Sequence, residues 1–286
     1  MRSLLWVLGA VVAMSCSSSA RPGAGPVTAP AAADLPPALT APRGTLLFGD
    51  LHGTRELPAF VAHVTRALAA TQPVVLALEV RADEAPSIPA FLASDGGPAA
   101  RAALLRDAWW QSAYQDGRRS VAMVELLDTA RRLRASGARV DVACFDAARP
   151  PDGVIDAAER EASMAHTLIA LRAARPDAAF VVYAGNLHTI RKGVDFQPGF
   201  DWMAMRLAQA GISFITLNAR YRDGTAWLSH GATPESCGID QVHGIPGEPG
   251  VHLEASADGN YDGWYDVGPI TASPPAAFPE RGAAAP

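Results

Sequence analysis

The tetrapeptide Gly-x-x-His occurs twice in this chain, as Gly49-Asp50-Leu51-His52 and as Gly185-Asn186-Leu187-His188. Each copy follows a short apolar run, Thr45-Leu46-Leu47-Phe48 in one case and Ala179 to Ala184 in the other. Runs of this length, closed by glycine, read as strands buried on both faces. An imidazole just past such a strand stands at the carboxyl end of a sheet, where ligands of open α/β sheets collect. Two copies far apart in sequence therefore place two histidines on one rim. That restricts the chain to folds whose strands end side by side.

The segments between and around the two motifs supply the other elements. Leu57, Val61, Val64 and Leu68 fall on one helical face, with Thr54 as a candidate N-cap. Val74 to Val80 reads as a second strand, and residues 86–105 as short helices broken at Gly96-Gly97-Pro98. Val121 to Ala135 is a strong helix with Ser120 placed to cap it. Its last turns carry Arg131, Arg132 and Arg134, where cations suit the helix dipole. Arg139 to Phe145 reads as a third strand, Val154 to Arg175 as a long helix and Ala179 to Ala184 as a fourth strand. Asp201 to Ala210 reads as a helix and Ser213 to Leu217 as a fifth strand. Such alternation predicts an α/β fold: a mostly parallel sheet with helices on both faces. Beyond Asn218 the chain turns to Gly, Pro and Asp with short β-like runs, Ala226-Trp227-Leu228 and Trp264 to Val267. That stretch predicts an irregular or antiparallel C-terminal annex.

The amino end is read as address rather than fold. Residues 1–15 form a signal peptide, with Arg2 ahead of an apolar run too short to span a bilayer. Ala13-Met14-Ser15-Cys16 is similar to a lipoprotein box, with Ala in place of the usual Leu; a plain secretory signal is the other reading. Residues 16–42 then form a lipidated Cys16 and a disordered tether rich in Ala, Pro, Ser and Gly. Residues 43–275 are one domain, and residues 276–286 a disordered tail. The expected location is the periplasmic face of a membrane, the outer one by this reading, with membrane contact through the lipid alone. A net charge of −5 and the lack of Lys/Arg clusters argue against nucleic acid as a partner. Of three cysteines, Cys144 and Cys237 remain after lipidation, either paired or as separate buried thiols. No GxGxxG, P-loop, Gly-x-Ser-x-Gly or HExxH motif is present.

The candidate catalytic set is His52, Glu79 and His188. Imidazole serves as a base near neutral pH or as a metal ligand. Glu79 closes an apolar strand, where a carboxylate needs a partner. It is either a structural ion pair with an arginine such as Arg81 or Arg118, or the third member of a two-His-one-carboxylate metal set. Asp50, Glu56, Arg118 and Asn186 are candidate substrate-binding residues. Asp50 could equally tie down its loop, and Glu56 could serve the dipole of the first helix. Arg118 could meet an anionic group, and Asn186 could donate to an oxyanion. Asp146, at another strand exit, ranks lower; Trp109, Trp110 and Tyr114 read as core or pocket wall, and His166 as structural.

Gly49 to Gly53, Glu79 after its strand, the run Arg160 to Ala165 and Gly185 to His188 together resemble a superfamily. It contains the erythromycin esterases, the ChaN-like haem-binding lipoproteins and the Tiki/TraB proteins. The likeness covers roughly Thr45 to Leu217. It implies a pocket at the strand ends, with His52, His188 and Glu79 as metal-holding protease residues on the Tiki pattern. On the esterase pattern it implies His52 as the base that activates water against a lactone, assisted by Glu79. Asp50 stands where esterases usually carry Glu, and no haem ligand is carried over from the ChaN pattern.

The resulting expectation is an exported hydrolase of esters, lactones or amides, acting on a small-molecule or peptide substrate, with Mn, Co or Zn as the metal. A haem- or iron-ligand-binding lipoprotein and a non-catalytic envelope scaffold are the alternatives.

Overall fold

The structure, a computed structural model, describes residues 35–282 apart from 151, 152, 154, 232 and 246. The signal peptide, Cys16 and most of the tether lie outside the described residues.

The first strand, β1 (Thr45–Asp50), is buried along its whole length. It leads to α1 (Glu56–Ala69), β2 (Val74–Arg81) and the short helices α2 (Ile88–Leu92), α3 (Pro98–Leu104) and α4 (Ala108–Gln111). Then come α5 (Val121–Ala135), β3 (Val140–Asp146), α6 (Ala157–Ala174), β4 (Ala179–Gly185), α7 (Met203–Gln209) and β5 (Ile215–Arg220). The remainder comprises β6 (Gly224–Ser229), β7 (Cys237–Val242), β8 (Gly250–His252) and β9 (Gly263–Asp266).

Seven strands form one sheet in the order β3-β2-β4-β1-β5-β9-β8, parallel except for β8. Strand β4 returns between β2 and β1, so the two Gly-x-x-His strands are direct neighbours, with Asp50 opposite Gly185. Alternate residues feed two cores. Leu46, Phe48, Leu76, Leu78 and Val181 face α1 and α5; Leu47, Val75, Phe180 and Val182 face α6 and α7. Helices thus cover both faces, as the alternation of elements predicts. Burial of each large aliphatic side chain contributes about 1.5–3 kcal/mol.

The annex departs from expectation in one respect. Strand β9 joins the main sheet in parallel beside β5, while β6 and β7 form a separate antiparallel pair. Tyr265 of β9 stacks on Phe60 at 5.0 Å and donates its hydroxyl to Gly49 O at 2.9 Å, so the annex buttresses the first motif. Two expected caps are also replaced. Arg55, not Thr54, precedes α1, and Ser120 stands at the N-cap of α5 without a side-chain capping bond. Ser273 Oγ accepts from Ala122 N instead, at 3.0 Å. Where the sequence suggested a disordered tail, Ala276 N donates to Arg119 O and Pro279–Gly282 form a 3₁₀ turn. Cys144 and Cys237 are free thiols, and burial pushes the Cys144 thiol up to about 12.

Candidate active site

Four adjacent parallel strands end together, and each delivers a polar side chain close to its end. Strand β1 gives Asp50 and His52, β2 gives Glu79, β3 gives Asp146, and β4 gives Gly185 and the turn that carries His188. Gly49 and Gly185 are needed for this convergence. A Cβ on Gly49 would lie 2.7 Å from Thr189 Oγ1 and 3.1 Å from Asn186 Cα, so it would push the second motif away. A Cβ on Gly185 would lie 3.1 Å from His52 Nε2, 3.4 Å from His188 Cδ2 and 3.6 Å from Glu79 Oε2. The surface over Gly185 is therefore the point on which all three candidate catalytic residues converge.

The two imidazoles are built alike. His52 Nδ1 donates to Asp50 Oδ2 at 2.7 Å, and His188 Nδ1 donates to Glu161 Oε1 at 2.6 Å. A carboxylate can only accept, so each bond places a proton on Nδ1 and turns Nε2 toward the centre. There each Nε2 stands 3.6 Å from a different oxygen of Glu79. Their surroundings then separate them. Arg160 Nη1 approaches His188 Nε2 at 3.2 Å, and a guanidinium only donates, so in the neutral ring this nitrogen is already taken as an acceptor. His52 Nε2 has no such donor, and its side chain is the more exposed of the two, at 24% against 13%.

Glu79 is buried and held by three donors. Oε1 accepts from Arg118 Nη1 at 2.8 Å and from Arg160 Nη2 at 2.6 Å; Oε2 accepts from Gly185 N at 2.8 Å. Burial disfavours its charge, but His188, Arg118, His52 and Arg160 outweigh that and hold its pKa well below the ordinary range. Asp146 ties the arginines together, accepting from Arg160 Nε at 2.7 Å and from Arg118 Nη1 at 3.1 Å. Asp116 binds Arg118 on the other side at 2.6 Å, and Arg118 with Arg119 keeps that carboxyl low despite its burial. For His52, burial alone would lower the pKa. The hydrogen bond and charge of Asp50, then the charge of Glu79, raise it above its usual 6.5.

Of the predicted substrate-binding residues, Asp50 and Arg118 belong to this cluster. Glu56 does not: its Oε2 accepts from Thr271 N at 2.8 Å and pins the annex to α1. Asn186 contributes its carbonyl, which accepts from Thr189 Oγ1 and from the Tyr261 hydroxyl, while its Cα and Cβ pack on Gly49. Arg160 and Glu161 had no individual role in the sequence reading. A signal for Glu161 existed: it occupies the buried stripe of α6 with Met164, Ala165 and Leu168, where helical spacing calls for an apolar residue.

The donor set does not suit a divalent ion. Glu79, the one carboxylate facing both imidazoles, has its oxygens taken by two guanidinium groups and a backbone N–H, and those cations would repel a third. Among the described residues no group of three or more His, Cys, Asp or Glu is arranged to hold a metal. The expected Mn, Co or Zn site is thus replaced by an arginine-neutralised carboxylate. Of the two imidazole nitrogens that could hold a haem iron, that of His188 already meets Arg160.

A larger cavity of about 480 Å³ lies beside this cluster, lined in part by Asn218, Arg220, Tyr221, Tyr261 and Trp264. It adjoins both motifs, because Asn218 pairs with Gly49 across the sheet and Tyr261 bonds to Asn186.

No protein-family model matches the sequence, and no curated protein matches it. Solved structures do. A succinoglycan biosynthesis protein superposes with a TM-score of 0.62 at 9% identity, covering 83% of this chain and 90% of that one. A mutant of the erythromycin esterase EreC in its open conformation gives 0.56 at 11% identity, covering 84% and 93%. A Bacillus cereus protein gives 0.54 at 11% identity, covering 85% and 93%. At these identities what is shared is the fold. The α/β fold is thus shared with an erythromycin esterase over most of both chains.

Proposed function

We propose that this protein is a metal-independent hydrolase of an ester, lactone or amide, with His52 as general base. One observation carries the reading: both imidazoles are anchored at Nδ1 by a carboxylate, and of the two only the Nε2 of His52 is left without a donor. A water over Gly185 would lose a proton to His52 Nε2 as its oxygen attacks the carbonyl carbon. Asp50 stabilises the imidazolium that forms. Arg160, shared between Glu79 and His188, lies where a developing oxyanion would gain from a fixed cation. The imidazolium then returns its proton to the leaving oxygen or nitrogen. The body of the substrate would lie in the 480 Å³ cavity, a volume ordinary for a small-molecule site. In the cell the domain would act outside the cytoplasm, tethered through Cys16.

The test is a panel of aryl esters, lactones and peptides, assayed with and without EDTA on protein freed of metal. Turnover that survives EDTA and drops by roughly 10²–10⁴ in His52→Ala supports the reading. Turnover that vanishes with EDTA and returns with Mn, Co or Zn sinks the metal-independent route.

A further inference from the structure

Against the Asp50–His52 pair, and lined also by Glu79, lies a much smaller cavity of about 10 Å³. Its lining includes Asp50, His52, Arg118, Ser120 and Tyr183. Three of these side chains bring a polar atom without a hydrogen bond of ordinary length: Asp50 Oδ1, Ser120 Oγ and Tyr183 Oη. All three residues are deeply buried, at 5%, 1% and 2% exposure. Folded proteins seldom leave one such atom unpaired, and here three share one small space.

Ser120 adds a separate observation. It holds the N-cap position of α5 with the extended backbone of a capping residue, yet its hydroxyl caps nothing. The first free N–H groups of that helix go to the annex, Val121 N to Pro274 O at 2.9 Å and Ala122 N to Ser273 Oγ at 3.0 Å. A residue whose usual task is done by Ser273, far along the chain, keeps its hydroxyl for the cavity. Tyr183 is two residues before Gly185 and faces the same side of the sheet as Phe48 and Val181. Burial first, then the charge of Asp50 and a long hydrogen-bonding contact with that same carboxylate, push its phenol well above its ordinary pKa, so it stays a donor aimed at Asp50.

We propose that this cavity binds one water, which accepts from Tyr183 and Ser120 and donates to Asp50 Oδ1, making Ser120 and Tyr183 positioning residues for the Asp50–His52 pair. The size agrees, since about one probe volume of 10–15 Å³ and two to four polar partners suffice for a buried water. Asp50 then has one oxygen on His52 and the other on the bridge, which fixes its carboxylate plane. That fixed plane sets the direction of His52 Nε2. The proposal rests on the hydrolase reading for its catalytic consequence but not for the water itself.

The experiment combines a crystal structure of the domain in its full chain with proton NMR and kinetics of Tyr183→Phe, Ser120→Ala and the double variant. The expected results are a solvent peak within hydrogen-bond distance of Asp50 Oδ1, Tyr183 Oη and Ser120 Oγ, and a low-field Nδ1–H resonance that His52→Ala removes. That resonance should broaden in the variants, and kcat should fall roughly tenfold in each with KM unchanged. Failure to find the peak, or variants that keep both the sharp resonance and full kcat, overturns the proposal. A wild-type protein without hydrolytic activity would defeat the hydrolase reading alone, because the peak and the resonance still decide the water.

Discussion

His188 and Glu161 meet at 2.6 Å, although the first lies in the turn after β4 and the second on α6. Glu161 does more than orient a ring. Its other oxygen accepts from Met203 N at 2.7 Å, so the same carboxylate holds the start of α7. Glu161→Gln keeps an acceptor for His188 but loses the charge, and kcat is expected to fall about tenfold with little change in stability. Glu161→Ala leaves Met203 N buried without its partner and should also cost about 1–3 kcal/mol of stability. Urea midpoints alongside kcat separate the two effects; equal stability losses in both variants would refute the double role.

Arg118 joins Glu79, Asp146 and Asp116, three carboxylates that are all largely buried. A buried ion pair is weak evidence of net stabilisation, but removing one partner strands the other. Arg118→Met should therefore destabilise the fold by about 3–5 kcal/mol, well beyond a surface salt bridge. A loss under 1 kcal/mol in chemical denaturation would mean that Arg160 alone neutralises Glu79 and that Arg118 is free to meet substrate.

The pH dependence follows from opposite shifts. His52 must be neutral to take a proton, and its pKa lies above 6.5, so kcat/KM should rise with pH through a midpoint above that value. For stability, a raised folded pKa contributes fully below 6.5 and is lost as pH rises through the folded value. Glu79 behaves in reverse: its lowered pKa stabilises above 4.5 and is lost as pH falls. Relative to wild type, His52→Asn should flatten the decline in stability on the alkaline side of 6.5 and leave most of the acid limb, which His188, Arg118 and Arg160 still hold, in place. An unchanged alkaline slope would show that His52 gains nothing from Asp50 on folding.

The chain announces most of this architecture, for identifiable reasons. β1, β2 and β4 are continuous apolar runs closed by polar or glycine residues, and α5 runs over the very residues its periodicity marks. His52, Glu79 and His188 were legible because each breaks such a run at its exit. What was not legible depends on long-range pairing. Glu79 reads as either an ion pair or a metal ligand until Arg160 and Arg118 arrive from separate elements. The cap of α5 comes from Ser273, which no local pattern connects to Ser120. β9 has only four residues amid Gly and Asp, too short a run to reveal that it extends the main sheet. Glu56 sits where a helix dipole favours an acid, and only the fold shows that its carboxylate serves Thr271.

Gly185 separates the site from the fold most cleanly. Its backbone angles, φ −52° and ψ 142°, are ones any L-residue adopts, so Gly185→Ala carries no conformational strain. The lost backbone freedom of the unfolded chain would favour the variant by about 0.4–1 kcal/mol, offsetting the tight 3.1 Å approach to His52 Nε2. Stability should therefore change by less than about 1 kcal/mol. The added methyl, however, would occupy the surface on which His52, His188 and Glu79 converge, where the reacting water and carbonyl are proposed to meet. A displacement of that size at the reacting centre should lower kcat/KM by roughly a hundredfold. Thermal melts and steady-state kinetics on the same preparation decide it: a folded Gly185→Ala with wild-type kcat/KM would move the chemistry away from the paired histidines.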